Sequence, residues 1–250
     1  MPRYKLIIEY EGTNYAGWQC QAGLPTIQGS LESAFLKVMG RPISVTGGGR
    51  TDAGVHALGQ VAHVDLEKSW DPFVIQQAIN HHLKPQPISV LHVEATDDSF
   101  HARFSATYRA YRYQIINRYA HLALDQNRAW QIPGPQLDLS LMQEAAQYLL
   151  GTHDFSAFRA KECQASSPIK TLDVLDITAE DDRFYFQVEA RSFLHHQVRN
   201  FVGTLKLVGT SKLKPSDIKD ILDSKDRRRA GPTAPAAGLY FIRIDYEKAT

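Results

Sequence analysis

Residues 48 to 57 read Gly48-Gly49-Arg50-Thr51-Asp52-Ala53-Gly54-Val55-His56-Ala57, a glycine-bracketed Arg-Thr-Asp trio. Glycine lets backbone bend sharply, so the Asp52 carboxylate and the Arg50 guanidinium are held close together. A carboxylate kept ionised by a neighbouring cation can act as a nucleophile or take up a proton. The same residues have a second reading, because an Asp in a glycine-rich turn commonly bonds its own backbone.

The flanking elements place the trio. The β-branched run Ile43-Ser44-Val45-Thr46 comes before it, and the alternating Gln60-Val61-Ala62-His63-Val64-Asp65-Leu66 comes after it; both read as strands. Asp52 is therefore expected on a loop crossing from one strand to the next, and loops carried on rigid strands are where chemistry is commonly placed.

The wider pattern alternates strands and helices. Lys5 to Tyr10 reads as a strand with Leu6, Ile8 and Tyr10 on one face, and Ile27, Leu31, Ala34, Phe35 and Val38 recur at helical spacing after a Pro25-Thr26 start signal. A second helix runs through Phe73, Ile75, Ala78 and Ile79, stops before Pro85 and Pro87, and is followed by a strand from Ile88 to Val93. This β-α-β-β-α-β order is the split βαβ pattern of a ferredoxin-like unit. The second half repeats it loosely. Phe104 to Ile116 is a strand of aromatics and arginines, and Leu141 to Leu150 a helix with Met142, Ala145, Ala146 and Leu149 inward. Ile169 to Ile177 and Phe184 to Val188 form a strand pair around Glu180-Asp181-Asp182; Phe193 to Val208 and Ile218 to Leu222 are helices, and Gly238 to Ile244 is the last strand. The expected fold is α+β: two pseudo-symmetric ferredoxin-like halves with antiparallel sheets, residues 1–103 and 104–250, and a basic cleft between them.

With 250 residues, 43% hydrophobic and 22% charged, the composition is that of an ordinary globular protein. No apolar stretch is long enough to span a bilayer and no signal-peptide pattern appears. Two cysteines, Cys20 and Cys163, are too few for a disulfide framework or a cysteine zinc site, which points to a reducing, cytoplasmic setting. Net charge is only +1, but its distribution is uneven. From Phe100 to Leu124 there is no acidic residue, while His101, Arg103, Arg109, Arg112, Arg118 and His121 are present, and Arg227-Arg228-Arg229 forms a second cluster. Cations lining one cleft attract RNA even when net charge is near zero; a solvated basic face is the plainer reading of each cluster.

Several segments together resemble one family. Gly49-Arg50-Thr51-Asp52-Ala53-Gly54-Val55-His56 is similar to the signature of the tRNA pseudouridine synthase I (TruA) family, and Tyr10 to Gln21 to its opening strand and loop. Phe100-His101-Ala102-Arg103-Phe104-Ser105-Ala106 with Tyr111-Arg112-Tyr113, Asp154 to Arg159, Phe193 to Asn200, and Gly238-Leu239-Tyr240 match its later motifs in order. The likeness runs from residue 4 to about 246. Gly48 stands where the family often has Ala, and Cys20 where a basic or polar residue is frequent; neither position carries a chemical role.

The resemblance implies isomerisation of uridine to pseudouridine in tRNA, at the positions conventionally numbered 38, 39 and 40 of the anticodon stem-loop, by a homodimer. It implies Asp52 as the catalytic carboxylate, attacking C1′ or C6 or drawing a sugar proton to give a glycal. It implies Arg199 as the cation that keeps Asp52 ionised, Tyr111 as the ring under the flipped uracil and a candidate acceptor of the C5 proton, and Leu239 as an apolar wall. Arg50 would fill the space of the extruded nucleotide or hold its phosphate. Arg103, Arg109 and Arg112 would contact backbone phosphates, which orient RNA without reading its sequence, and His196 would face the RNA. The reaction oxidises nothing and gains no atom, so no cofactor is expected. The chain also carries no P-loop, dinucleotide fingerprint or metal-ligand spacing. Neighbouring His195 and His196, expected on a helix, would point apart and chelate poorly.

Two other readings use the same residues. A non-catalytic tRNA-binding module or chaperone could keep the scaffold, and the intact Asp52, Tyr111 and Arg199 disfavour it. A nucleoside-hydrolysing glycosidase would want a second carboxylate opposite the first, and none is evident.

Overall fold

The computed structural model describes residues 1–246. In chain order the elements are β1 (Arg3–Tyr10), α1 (Ile27–Met39), β2 (Thr46–Gly47), β3 (His56–Asp65), α2 (Pro72–Leu83), β4 (Ile88–Thr96), β5 (Ala106–Ile116) and β6 (Trp130–Gln131). There follow α3 (Leu139–Gln147), β7 (Gly151–Asp154), β8 (Ile169–Leu172), β9 (Val174–Glu180), β10 (Arg183–Ala190), α4 (Gln197–Gly209), α5 (Asp217–Ser224) and β11 (Leu239–Tyr246). They group into two compact units, Met1–Thr107 with the described residues from Tyr240 onward, and Tyr108–Leu239. The expected division at 103/104 differs from this twice. The first crossing lies inside β5, and the last strand belongs with the first unit, where Tyr240 and Phe241 pair in parallel with His56 and Ala57.

The first unit has the β-α-β-β-α-β order. Its strands lie β4-β1-β3, antiparallel, with β2 beside β3. Strict alternation buries Tyr4, Leu6, Ile8 and Tyr10 on one face of β1. The Thr26 hydroxyl accepts the Gly29 N–H to start α1, and Asp71 caps α2 with Pro72 in its first turn. Ile75, Ile79 and Leu83 form the buried stripe of α2; Phe73, in the helix as expected, is 65% exposed. The strand expected from Ile43 to Thr46 is reduced to Thr46 and Gly47, which find partners in His63 and Ala62; Ile43 and Val45 are buried without joining the ladder. The strand after the Asp52 loop begins early, at His56, so the loop spans only the residues between Gly47 and His56.

In the second unit β10 lies antiparallel between β5 and β9, with β6 parallel to β5. Tyr111, Tyr113 and Ile115 share one face with Val188, Phe186 and Phe184, all buried, and α3 packs against β9. The strand expected from Ile169 to Ile177 is broken at Asp173, whose N–H turns to the Glu189 carbonyl; the first piece pairs with β7 and the second with β10. Helix α4 starts at Gln197, not at Phe193. His196 takes the left-handed conformation, φ 63°, and the Gln197 side chain accepts the Leu194 N–H, closing a turn ahead of the helix. His195 and His196 therefore stand on that turn rather than on a helix, their ring centroids 4.0 Å apart.

Candidate active site

In the first unit the Asp52 loop is fixed at Gly48, Gly49, Thr51 and Gly54 by groups outside it. The Gly48 N–H donates to the Val61 carbonyl (2.7 Å), and the fully buried Gln60 amide donates to the Gly49 carbonyl (2.8 Å). Trp18 N–H donates to the Thr51 carbonyl (3.1 Å), Gly54 N–H to the Tyr15 carbonyl (3.2 Å), and Val55 N–H returns to the Asp52 carbonyl (3.2 Å). The Thr51 hydroxyl is paired with the Tyr10 hydroxyl at 2.8 Å, and burial pushes the Tyr10 phenol up to about 12, so it stays protonated at neutral pH.

Sequence reasoning missed the element that clamps this loop. A Cβ on Gly12 would lie 2.0 Å from the Val55 carbonyl oxygen, and one on Gly17, at φ 96°, would lie 2.5 Å from the Thr51 oxygen. Two stretches of backbone touch where no side chain can fit. Gly12 N–H also donates to Nδ1 of buried His56 (3.0 Å), which sets that ring as the neutral Nε2–H tautomer. The spacing of Gly12, Gly17 and Trp18 within the Tyr10–Gln21 motif was the available signal. Asp52 is half-buried at the crest of the loop, Thr51 buried, Arg50 and Ala53 exposed. Arg103 belongs to the same unit. Its guanidinium lies 5.5 Å from the centre of the Phe104 ring, and its N–H donates to His101 Nδ1.

The second unit brings together Arg199, Tyr113 and the segment leading to Leu239. Arg199 stands in the first turn of α4, and its Nε donates to the Ala234 carbonyl (2.7 Å). The buried Tyr113 hydroxyl donates to the next carbonyl, Pro235 (2.7 Å). Burial raises the Tyr113 phenol far above its ordinary range, opposed by the Arg199 charge. Gly238 allows the chain to lie on Tyr113, since a Cβ there would be 2.6 Å from that ring, and Leu239 is buried directly after it. Tyr111 lies two residues before Tyr113 on the same strand face, its ring edge-on to Phe193 with centroids 5.2 Å apart.

The arginines expected on phosphates do not share one face. Strand alternation puts Arg109 on the Tyr111 side, with Nη1 donating to the Arg191 carbonyl (2.6 Å). Arg112 lies on the opposite side, 5.6 Å from the centre of the Tyr185 ring. Of the other basic residues, Arg118 pairs with Asp182 (3.1 Å) and Arg228 with Asp226 (2.7 Å).

Residues 6–105 and 145–247 match the family model described as tRNA pseudouridine synthase. Full-length relatives agree. The chain is 55% identical to tRNA pseudouridine synthase A of Paramagnetospirillum magneticum, over 98% of this chain and 96% of that one. It is 56% identical to the protein of the same name from Xanthobacter autotrophicus, over 98% and 100%. The corresponding figures for Azorhizobium caulinodans are 54%, 98% and 95%. With a mixed α+β architecture and this shared sequence, the protein is placed in a class of isomerases. Specifically, the chain belongs to the tRNA pseudouridine synthase family.

Proposed function

We propose that the protein converts uridine to pseudouridine in tRNA, at positions 38, 39 and 40 of the anticodon stem-loop, acting as a cytoplasmic homodimer. The reaction breaks the C1′–N1 bond, turns the uracil, and joins C5 to C1′; the proton lost from C5 balances the one gained at N1. Asp52 is the carboxylate on which bond cleavage depends. Arg199 is its cation, Tyr111 the platform under the base and the acceptor of the C5 proton, and Leu239 an apolar wall. Arg50 holds or replaces the flipped nucleotide, and His196 faces the RNA. Arg103 and Arg109 hold phosphates; Arg112, turned to the other face of its strand, does so only for a tRNA segment passing on that side.

The observation that carries this reading is the locking of the Asp52 loop. Catalytic geometry needs a carboxylate whose position is set before substrate arrives. Here the backbone on both sides of Asp52 is bound to Trp18, Tyr15, Gln60 and Val61. Among the described residues no helix is long and apolar enough to cross a membrane.

Asp52→Asn is expected to abolish tritium release from tRNA labelled at uridine C5 while leaving tRNA affinity within about twofold. Release at the parental rate would sink the role of Asp52. A parental protein that binds tRNA but releases no tritium from any tRNA would instead favour a binding module.

A further inference from the structure

The cluster Arg227-Arg228-Arg229 offers three adjacent cations, but the first of them faces inward. Arg227 Nη1 donates to the carbonyls of Gly231 (2.8 Å) and Ala230 (3.4 Å), and Nη2 donates to Asn200 Oδ1 (2.9 Å) and Thr233 Oγ1 (3.1 Å). Asn200 is fully buried on α4, one residue after Arg199; its amide donates to the Phe158 carbonyl (2.7 Å), and its Oδ1 also accepts the Thr233 hydroxyl (2.7 Å). One helical turn on, the buried Thr204 hydroxyl accepts the Gly231 N–H (2.9 Å) and donates to the Asn200 carbonyl (2.7 Å). Gly203 completes the seam, because a Cβ there would sit 1.7 Å from the Pro232 oxygen. The far end of the same segment meets the candidate site. Ala234 N–H donates to the Arg199 carbonyl (3.1 Å), the Ala234 carbonyl takes Arg199 Nε, and the Pro235 carbonyl takes the Tyr113 hydroxyl.

We propose that Arg227 is a positioning residue, which with Asn200 and Thr233 fixes residues 230–235 so that the Ala234 carbonyl sets the side chain of Arg199. This rests on the role proposed above for Arg199. A phosphate-binding arginine turns its guanidinium to solvent. Here the two terminal nitrogens reach three acceptors of one segment, Ala230, Gly231 and Thr233, and a fourth on α4, Asn200, a task for a rigid planar fork and not for a point charge. Partial burial lowers the pKa of this guanidinium, as expected of a cation partly withdrawn from water.

The test separates turnover from binding. Single-turnover tritium release is measured with enzyme in saturating excess over tRNA, alongside the tRNA Kd. Thr233→Val removes one hydroxyl from a half-buried loop residue, and it should slow release about tenfold with Kd within about twofold, since small displacements of a positioned group cost rate. Thr233→Ser should restore the rate. Arg227→Lys, which keeps the charge and loses the fork, should be slowed at least as much. In an Arg199→Gln background Thr233→Val should add less than about twofold, because the residue it acts through is gone. A weakened Kd with an unchanged rate, a parental Arg227→Lys, or fully additive losses would each overturn the proposal. If Arg199→Gln alone keeps the parental rate, the reading of Arg199 fails first and this one with it.

Discussion

His63 shows how one residue is bound to its surroundings. It lies on β3 opposite Lys5, almost wholly buried, with Nδ1 accepting the Ala102 N–H (3.2 Å) and its ring 4.8 Å from that of His101. Burial lowers its pKa from 6.5 to about 4; the Arg3 guanidinium and His101 push the same way, and Asp65 opposes them. Between those two pH values the unfolded chain binds a proton that the folded one refuses. Stability is therefore full above pH 6.5 and is lost as pH falls toward 4. His63→Asn, whose Oδ1 can accept the same N–H, should flatten this dependence. Urea unfolding at pH 6.5 and pH 4 measures it, and equal losses in parent and variant would show that other groups carry the effect.

Among the elements, the clamp between the Tyr10–Gln21 segment and the Asp52 loop makes the sharpest demand. Gly17→Ala meets two obstacles, a left-handed backbone and a Cβ 2.5 Å from the Thr51 oxygen. Gly23 shares the left-handed backbone, φ 75°, with nothing within 4 Å. Gly17→Ala should slow single-turnover release by about 10 to 100-fold, because it displaces the loop beside Asp52, while Gly23→Ala changes it less than about twofold. Similar rates in the two variants would mean that the clamp does not set the loop.

This contrast marks what the sequence could reveal. Elements driven by local periodicity, such as β1 with its alternating Leu6 and Ile8 or α1 with its Thr26 cap, were legible. The start of α4 was not, because His196 takes a left-handed turn that no glycine announces. Asp52 stood out by its own motif. Its clamp depends on backbone approach between segments some forty residues apart, and Arg227 read as a surface cation because its acceptors are an amide on the earlier helix α4 and carbonyls and a hydroxyl of the turn that follows it.

For the whole molecule, some of the cations are taken up by ion pairs such as Arg118–Asp182, Arg183–Asp125 and Arg228–Asp226. The remaining cations must act by position. Because Arg109 and Arg112 face opposite sides of β5, one RNA arm cannot take both from the same side. Arg109→Ala should weaken binding to all tRNAs alike and reduce the slope of log K against log salt by about one, with Arg112→Ala leaving it unchanged. A slope that falls only in Arg112→Ala would place the RNA on the other face.

β11 belongs to the first unit although it follows the second unit in sequence. Ile244 and Tyr246 come against Gly48, and the Ile242 carbonyl lies against Gly59, so the strand supports both flanks of the Asp52 loop. A ribosome therefore releases the loop near residue 50 long before it releases the strand that steadies it. Throughout that interval the nascent chain carries its carboxylate without a finished support. The Asp52 loop gains its full support only when β11, about 190 residues further along the chain, has come against Gly48 and Gly59.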